Sequence, residues 1–231
     1  MLQLLGLSLS GAIILLDSTA AFQMLIAQPL FACPLLGFLG GNIDLGFEMG
    51  FLLQLIWLAN MPVGAAIIPE GEFGSVAGVI LALRLTEQLP ELKHFIIFIA
   101  LIYAVFVSYL GAKSVTFIRN QNQHYLQHIL KRLNRGNRIK IGLVILNALI
   151  FSAAVFFIII FVLTIVFENI FYPILKSTPL TVANRIGMIG KISILGVGMG
   201  LTVTLLKDKR LWPLYVLGML IGGGLMLYGL F

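Results

Sequence analysis

The chain has 231 residues, of which 60% are hydrophobic and only 10% charged, with a mean hydropathy of +1.06 and a formal net charge of +6. A soluble domain carries about a quarter of its residues charged, so the composition excludes a water-soluble catalytic module and describes an all-α polytopic membrane protein. The lone cysteine, Cys33, excludes an internal disulfide and a multi-cysteine metal centre. The pattern predicts a single membrane domain over residues 1–231: an N-terminal half (1–112), a basic segment (113–140) and C-terminal helices (141–231).

In chain order, residues 1–16 are apolar without a basic leader region, which predicts a retained first membrane helix. Asp17, Ser18 and Thr19 then interrupt it, and the acid either caps the next helix or reaches a ligand. Residues 24–41 carry Pro29 and Pro34 and end in Gly40-Gly41, residues 49–69 contain Gln54, Asn60 and Pro62, and residues 73–90 contain Arg84. A smooth spanning helix needs about 20 apolar residues. These three pieces are shorter or broken, and broken helices persist at membrane depth only where they line a cavity or are buried in protein. The N-terminal half is therefore expected to hold broken or re-entrant helices around a polar substrate.

Residues 94–112 form a cleaner span. In residues 116–133, Ile118, Tyr125, Leu126, Ile129, Leu130 and Leu133 recur at helical spacings among Asn, Gln, His, Lys and Arg, which predicts an amphipathic helix at the cytoplasmic surface. Seven of the 15 basic residues lie between Lys113 and Lys140, and no acid lies between Glu91 and Glu168. Beside long apolar segments such a run marks the cytoplasmic side and not a nucleic-acid site. Residues 141–167 are a charge-free span, residues 168–185 hold Pro173 and Pro179 in a mixed turn, and residues 186–206 are a glycine-rich span. The run KDKR at 207–210 is a second basic anchor, and residues 211–231 read as a last span with the triplet Gly222-Gly223-Gly224.

The sequence has no phosphate-binding loop and no hydrolase or kinase motif. His124 and His128 share a helix face but have no third ligand nearby, so no metal or cofactor is expected. The chemistry concentrates between Gln28 and Gly71. On a helix, Gln54 and Trp57 share a face at i, i+3. An amide beside an indole suits a sugar, with the amide on the hydroxyls and the ring on the apolar face. The same two residues also suit a helix–helix hydrogen bond and an interfacial tryptophan. Glu70, after Pro62-Val63-Gly64-Ala65-Ala66-Ile67-Ile68-Pro69, is an intramembrane carboxylate placed to accept from hydroxyls. Glu48 and Asp44 are i, i+4 apart and suit a water interface.

Asp17, then Gln28-Pro29-Leu30, Gly37, Gly46, Gly50, Gln54, Trp57-Leu58, Pro62-Val63-Gly64-Ala65-Ala66 and Pro69-Glu70 together form a pattern. It resembles the IIC membrane subunit of the mannose/fructose/sorbose class of the bacterial phosphotransferase system, most closely over residues 15–85. In that family a glutamate is usual where this chain has Gln54, and an aspartate often follows glycine where this chain has Asn42.

The resemblance implies a sugar-translocating, non-enzymatic subunit of the bacterial inner membrane. Its partners would be a IID membrane subunit and cytoplasmic IIA and IIB phosphocarriers in an oligomeric complex. It implies that Gln54, Pro62, Gly64 and Glu70 lie nearest the sugar, with Asp17 and Gln28 in support; Trp57 joins these candidates through the amide–indole spacing alone. Two rival expectations are a membrane partner that keeps the fold without transporting, and an ion-coupled secondary transporter using Asp17, Glu48 or Glu70.

Overall fold

The computed structural model describes residues 1–21, 23–58, 69–135 and 139–205, with isolated positions beyond. Its elements, in order, are α1 (Leu2–Thr19), α2 (Pro29–Leu39), α3 (Ile43–Ile56), α4 (Gly71–Gln88), a short 3₁₀ turn (Pro90–Leu92), α5 (Lys93–Asn134), α6 (Ile141–Ser177) and α7 (Leu180–Leu205). Four described helices are long and apolar enough to cross a membrane: α1, α5 with its leading turn, α6 and α7.

The central element is α4, with Gly71, the run Phe73–Leu83, Leu85 and Thr86 all buried. It packs on α5 through glycine: a Cβ on Gly78 would come within 2.9 Å of the Ala104 side chain and 3.2 Å of the Ala100 carbonyl. α1 covers another side of it with a stripe of Leu4, Leu7, Ser8, Gly11, Ala12 and Leu15, the i, i+3, i+4 spacing of one helix face. At Gly11 a Cβ would sit 2.6 Å from Val76 Cγ1.

The expected break in the N-terminal half is a helical hairpin. α2 starts on Pro29, a position where the missing N–H costs nothing, and ends at Gly40-Gly41, with Gly41 at φ +82°. Asn42 Oδ1 then accepts from Leu45 N–H at 3.0 Å and caps α3. The two helices have 11 and 14 residues, about 16 and 21 Å at 1.5 Å per residue. Neither crosses a hydrocarbon layer of about 30 Å, so the pair is re-entrant. It closes on small residues: a Cβ on Gly46 would meet the Cys33 carbonyl at 2.6 Å, one on Gly50 the Pro29 carbonyl at 2.7 Å, and one on Gly37 the Gly46 Cα at 2.8 Å.

Three expectations change. Residues 116–133 are helical as their pattern requires, yet they continue the span helix without a break, giving a 42-residue α5. Residues 168–185 are not one long turn. α6 runs through Pro173 to Ser177, and the chain reverses at Thr178–Pro179. α3 begins at Ile43, six residues before the predicted piece, because Asn42 caps it there. The predicted last span at 211–231 falls largely outside the described residues, as do Pro62 and Gly64.

Candidate functional site

Polar side chains gather at two levels. The first lies where the N-terminus of α2, the C-terminus of α3 and the N-terminus of α4 meet. Gln28, the N-cap of α2, donates from Nε2 to Glu72 Oε1 at 3.0 Å. Gln54 on α3 donates to Gln28 Oε1 at 3.5 Å, and its own Oε1 accepts from Leu30 N–H at 3.4 Å. Leu30 N–H belongs to the first turn of α2, where helix amides have no partner within the helix. Gln54 thus ties α3 to the start of α2 through long bonds at the edge of hydrogen-bonding range.

Trp57 follows the last residue of α3, and its indole N–H goes to Ser75 Oγ at 3.1 Å. That hydroxyl donates to the Gly71 carbonyl at 2.7 Å. The ring lies on Gly71, where a Cβ would stand 2.7 Å from Cγ and Cδ2. The indole is therefore engaged in holding α3 to α4, and its polar edge does not join Gln54. Glu70, half-buried ahead of α4, is fixed through its backbone: its N–H donates to the Ser108 carbonyl at 3.1 Å and its carbonyl accepts from Gly74 N–H at 3.0 Å. The charges that act on its carboxyl are Glu72 and Arg119.

Asp17 stands apart. It is buried near the end of α1, where Oδ1 accepts from Met24 N–H at 2.8 Å and Oδ2 from Ala27 N–H at 3.2 Å. On either side of Met24 the backbone is left-handed, at Gln23 (φ 51°) and Leu25 (φ 65°), an unfavourable conformation for residues with a Cβ. Asp17 therefore pins the turn that delivers Gln28 to the cluster. It does not cap α2 directly.

The second level is at the opposite end of α4. Arg84 forms a forked pair with Glu168 of α6, Nη2 to Oε1 at 2.9 Å and Nε to Oε2 at 3.3 Å. Gln88 donates to the same carboxylate at 2.6 Å, and Arg84 also donates to Gln3 Oε1 of α1 at 3.3 Å. Nearby, Glu48 of α3 holds Lys93 of α5 at 3.1 Å and Lys191 of α7. Lys191 also contacts His94 Nδ1 at 2.6 Å. Glu48 is thus not a free interfacial acid but the junction of three helices.

The structure joins Gln28 to Gln54 and to Glu72, gives Glu70 only backbone bonds and the charge of Glu72, and sends Trp57 and Asp17 into supporting contacts. Glu72 and Ser75 were missed by sequence reasoning. Their signal was their position in the first turn or so of an otherwise apolar helix, directly after Glu70.

Residues 1–226 match the family model described as the PTS system sorbose-specific IIC component. The chain belongs to that family. It is 23% identical over 194 residues to the fructose permease IIC component of Bacillus subtilis (strain 168), covering 84% of this chain and 69% of that protein. Against the mannose-specific EIIC component of Escherichia coli (strain K12) it is 23% identical over 193 residues, covering 83% and 69%. Two solved structures share the fold. One is a membrane protein at TM-score 0.68 and 21% identity, covering 96% of this chain and 87% of that one. The other is a cryo-EM structure of the mannose transporter ManYZ with microcin E492, at TM-score 0.53 and 20% identity, covering 96% and 85%. The chain is thus a IIC sugar-permease component of the mannose/fructose/sorbose class, a multi-pass protein of the bacterial inner membrane that works with other subunits of its phosphotransferase system.

Proposed function

We propose that this IIC subunit carries a hexose or related sugar past the cluster of Gln28, Gln54, Glu70 and Glu72. Its partners in this reading are a IID membrane subunit and a cytoplasmic IIB subunit that phosphorylates the sugar. The observation that carries the reading is the Gln28–Gln54–Glu72 chain at the meeting point of three helix ends. Two amides and the Glu72 carboxylate converge there among apolar helices, and the Gln54 bonds, at 3.4 and 3.5 Å, are longer than the 3.0 Å bond between Gln28 and Glu72. A sugar hydroxyl can replace either bond at little cost, because a neutral hydrogen bond contributes only about 1 kcal/mol net and its replacement recovers most of that. Pro62 and Gly64, on the segment between Trp57 and Glu70, join the site in this reading, with Asp17 and Trp57 fixing its walls.

Gln54→Ala and Glu70→Ala should each reduce uptake about tenfold or more, with normal insertion into the membrane, since each removes a half-buried partner of the sugar. The decisive measurement is uptake with and without the phosphocarrier proteins. Uptake that persists without them but collapses with the proton or sodium gradient would assign the chain to ion-coupled transport instead. Normal uptake in both alanine variants would move the sugar elsewhere.

A further inference from the structure

The cluster and the outer ion pairs leave one part of the molecule unused, the far end of α5. Lys93 and Lys113 stand 20 residues apart on this helix, about 30 Å, which fills the hydrocarbon layer. The helix continues to Asn134. Even if Arg119 is taken as the inner limit, Leu126, Leu130 and Leu133 lie about 10, 16 and 21 Å beyond it along the axis. The headgroup layer adds only about 5–7 Å on each side, and an ordinary tilt of about 20° hardly shortens these distances. Lipid therefore does not cover the last two.

The described residues do not cover them either: the three leucines, at i, i+4 and i+7, are 51%, 48% and 50% exposed. The first turns of α6 run beside them, tied on by Asn147 to the Tyr125 hydroxyl at 3.3 Å and by Phe151 against Phe117. They add exposed Ile141 and Ile145, at 72% and 56%. Around this apolar patch Lys131, Arg132, Arg135 and Lys140 are exposed, and no acid occurs between Glu91 and Glu168.

An apolar patch beyond the bilayer needs a protein cover. A second copy of the arm would set like charges against each other, and the chain's own KDKR run at 207–210 adds further cations of the same sign. The basic excess places the arm in the cytoplasm. We propose that the arm of α5 and α6 is a docking surface for a water-soluble cytoplasmic protein whose apolar patch is ringed by carboxylates. Given the function proposed above, the natural probe is the soluble IIB subunit of the same system.

The test uses the detergent-purified permease complex and purified IIB. Two variants are compared: Lys131→Gln/Arg132→Gln/Arg135→Gln, and Leu130→Ser/Leu133→Ser. The second leaves every topology-setting charge in place, so it inserts as the parent does. Each should weaken IIB binding about tenfold, and parental binding should fall as salt rises. Parental affinity in both variants overturns the docking surface and leaves the transport reading intact. Loss of the IID subunit from the purified complex, with IIB affinity unchanged, also overturns it, because the cover is then a membrane partner. Absence of IIB binding by the parent complex overturns both readings.

Discussion

At Arg84 and Glu168 a cation and an anion separated by 84 positions in sequence meet with side chains each 17% exposed. Such a pair contributes modestly as a pair but strongly punishes the loss of one member, because the other is left nearly buried and unpaired. Arg84→Met should destabilise the protein by about 3 kcal/mol, read as a lowered Tm in detergent, and adding Glu168→Met should recover much of that loss. A double variant as unstable as the sum of the two singles would show that the residues do not act as a pair. The pairing was not legible in the sequence. Arg84 was visible as a charge in a broken segment, but nothing local names a partner on another helix. The opposite holds for Gln28, Gln54 and Glu70, which stood out as polar or ionisable groups at membrane depth. What their types did not disclose was that Gln28 faces Glu72, or that Trp57 turns its N–H to Ser75.

Among the elements, the α2–α3 hairpin shows how much a proline and glycine pattern can fix. Pro29, Gly40-Gly41 and the spaced glycines at 37, 46 and 50 mark the start, the turn and the contact line of a re-entrant pair. Gly50→Ala and Gly46→Val should push the helices apart, since the added carbon would meet main-chain oxygen at 2.7 and 2.6 Å. The expected cost is about 1–3 kcal/mol, together with lost uptake as Gln54 leaves Gln28. Gly196→Ala and Gly200→Ala, where an added Cβ meets nothing within 4 Å, serve as neutral controls; equal damage from the controls would remove the contact argument. α5 misled in an instructive way. Its side chains change from apolar to polar after Ala112, which imitates a boundary, while the backbone has no reason to stop. No glycine or proline occurs between Gly111 and Gly136, and helices end at such signals. Pro173 misled in the other direction, since a proline inside a membrane helix is tolerated when neighbours satisfy the freed carbonyl.

The whole molecule is held at one end of α4 by two electrostatic junctions of different depth. Among the described residues, the carboxylate of Glu168 has a single cation within a forked pair, Arg84, whereas Glu48 has two, Lys93 and Lys191. Lys191→Met therefore leaves Glu48 paired. It should lower the Tm by less than Arg84→Met does, by roughly one to a few degrees at about 2–4 °C per kcal/mol. The reverse ranking would mean that α7, and not α6, is the helix that the outer layer secures. Both junctions lie at the opposite end of α4 from Glu70 and Glu72.

The unbroken length of α5 has a mechanical consequence. At 42 residues it measures about 63 Å. A helix without a hinge turns as one rod. Pivoted near Lys93, where Glu48 grips it, a tilt of about 5° would swing its far tip by roughly 5 Å over that length. An angular change too small to disturb the packing at its root thus becomes, at the cytoplasmic tip, a displacement of nearly one helix radius.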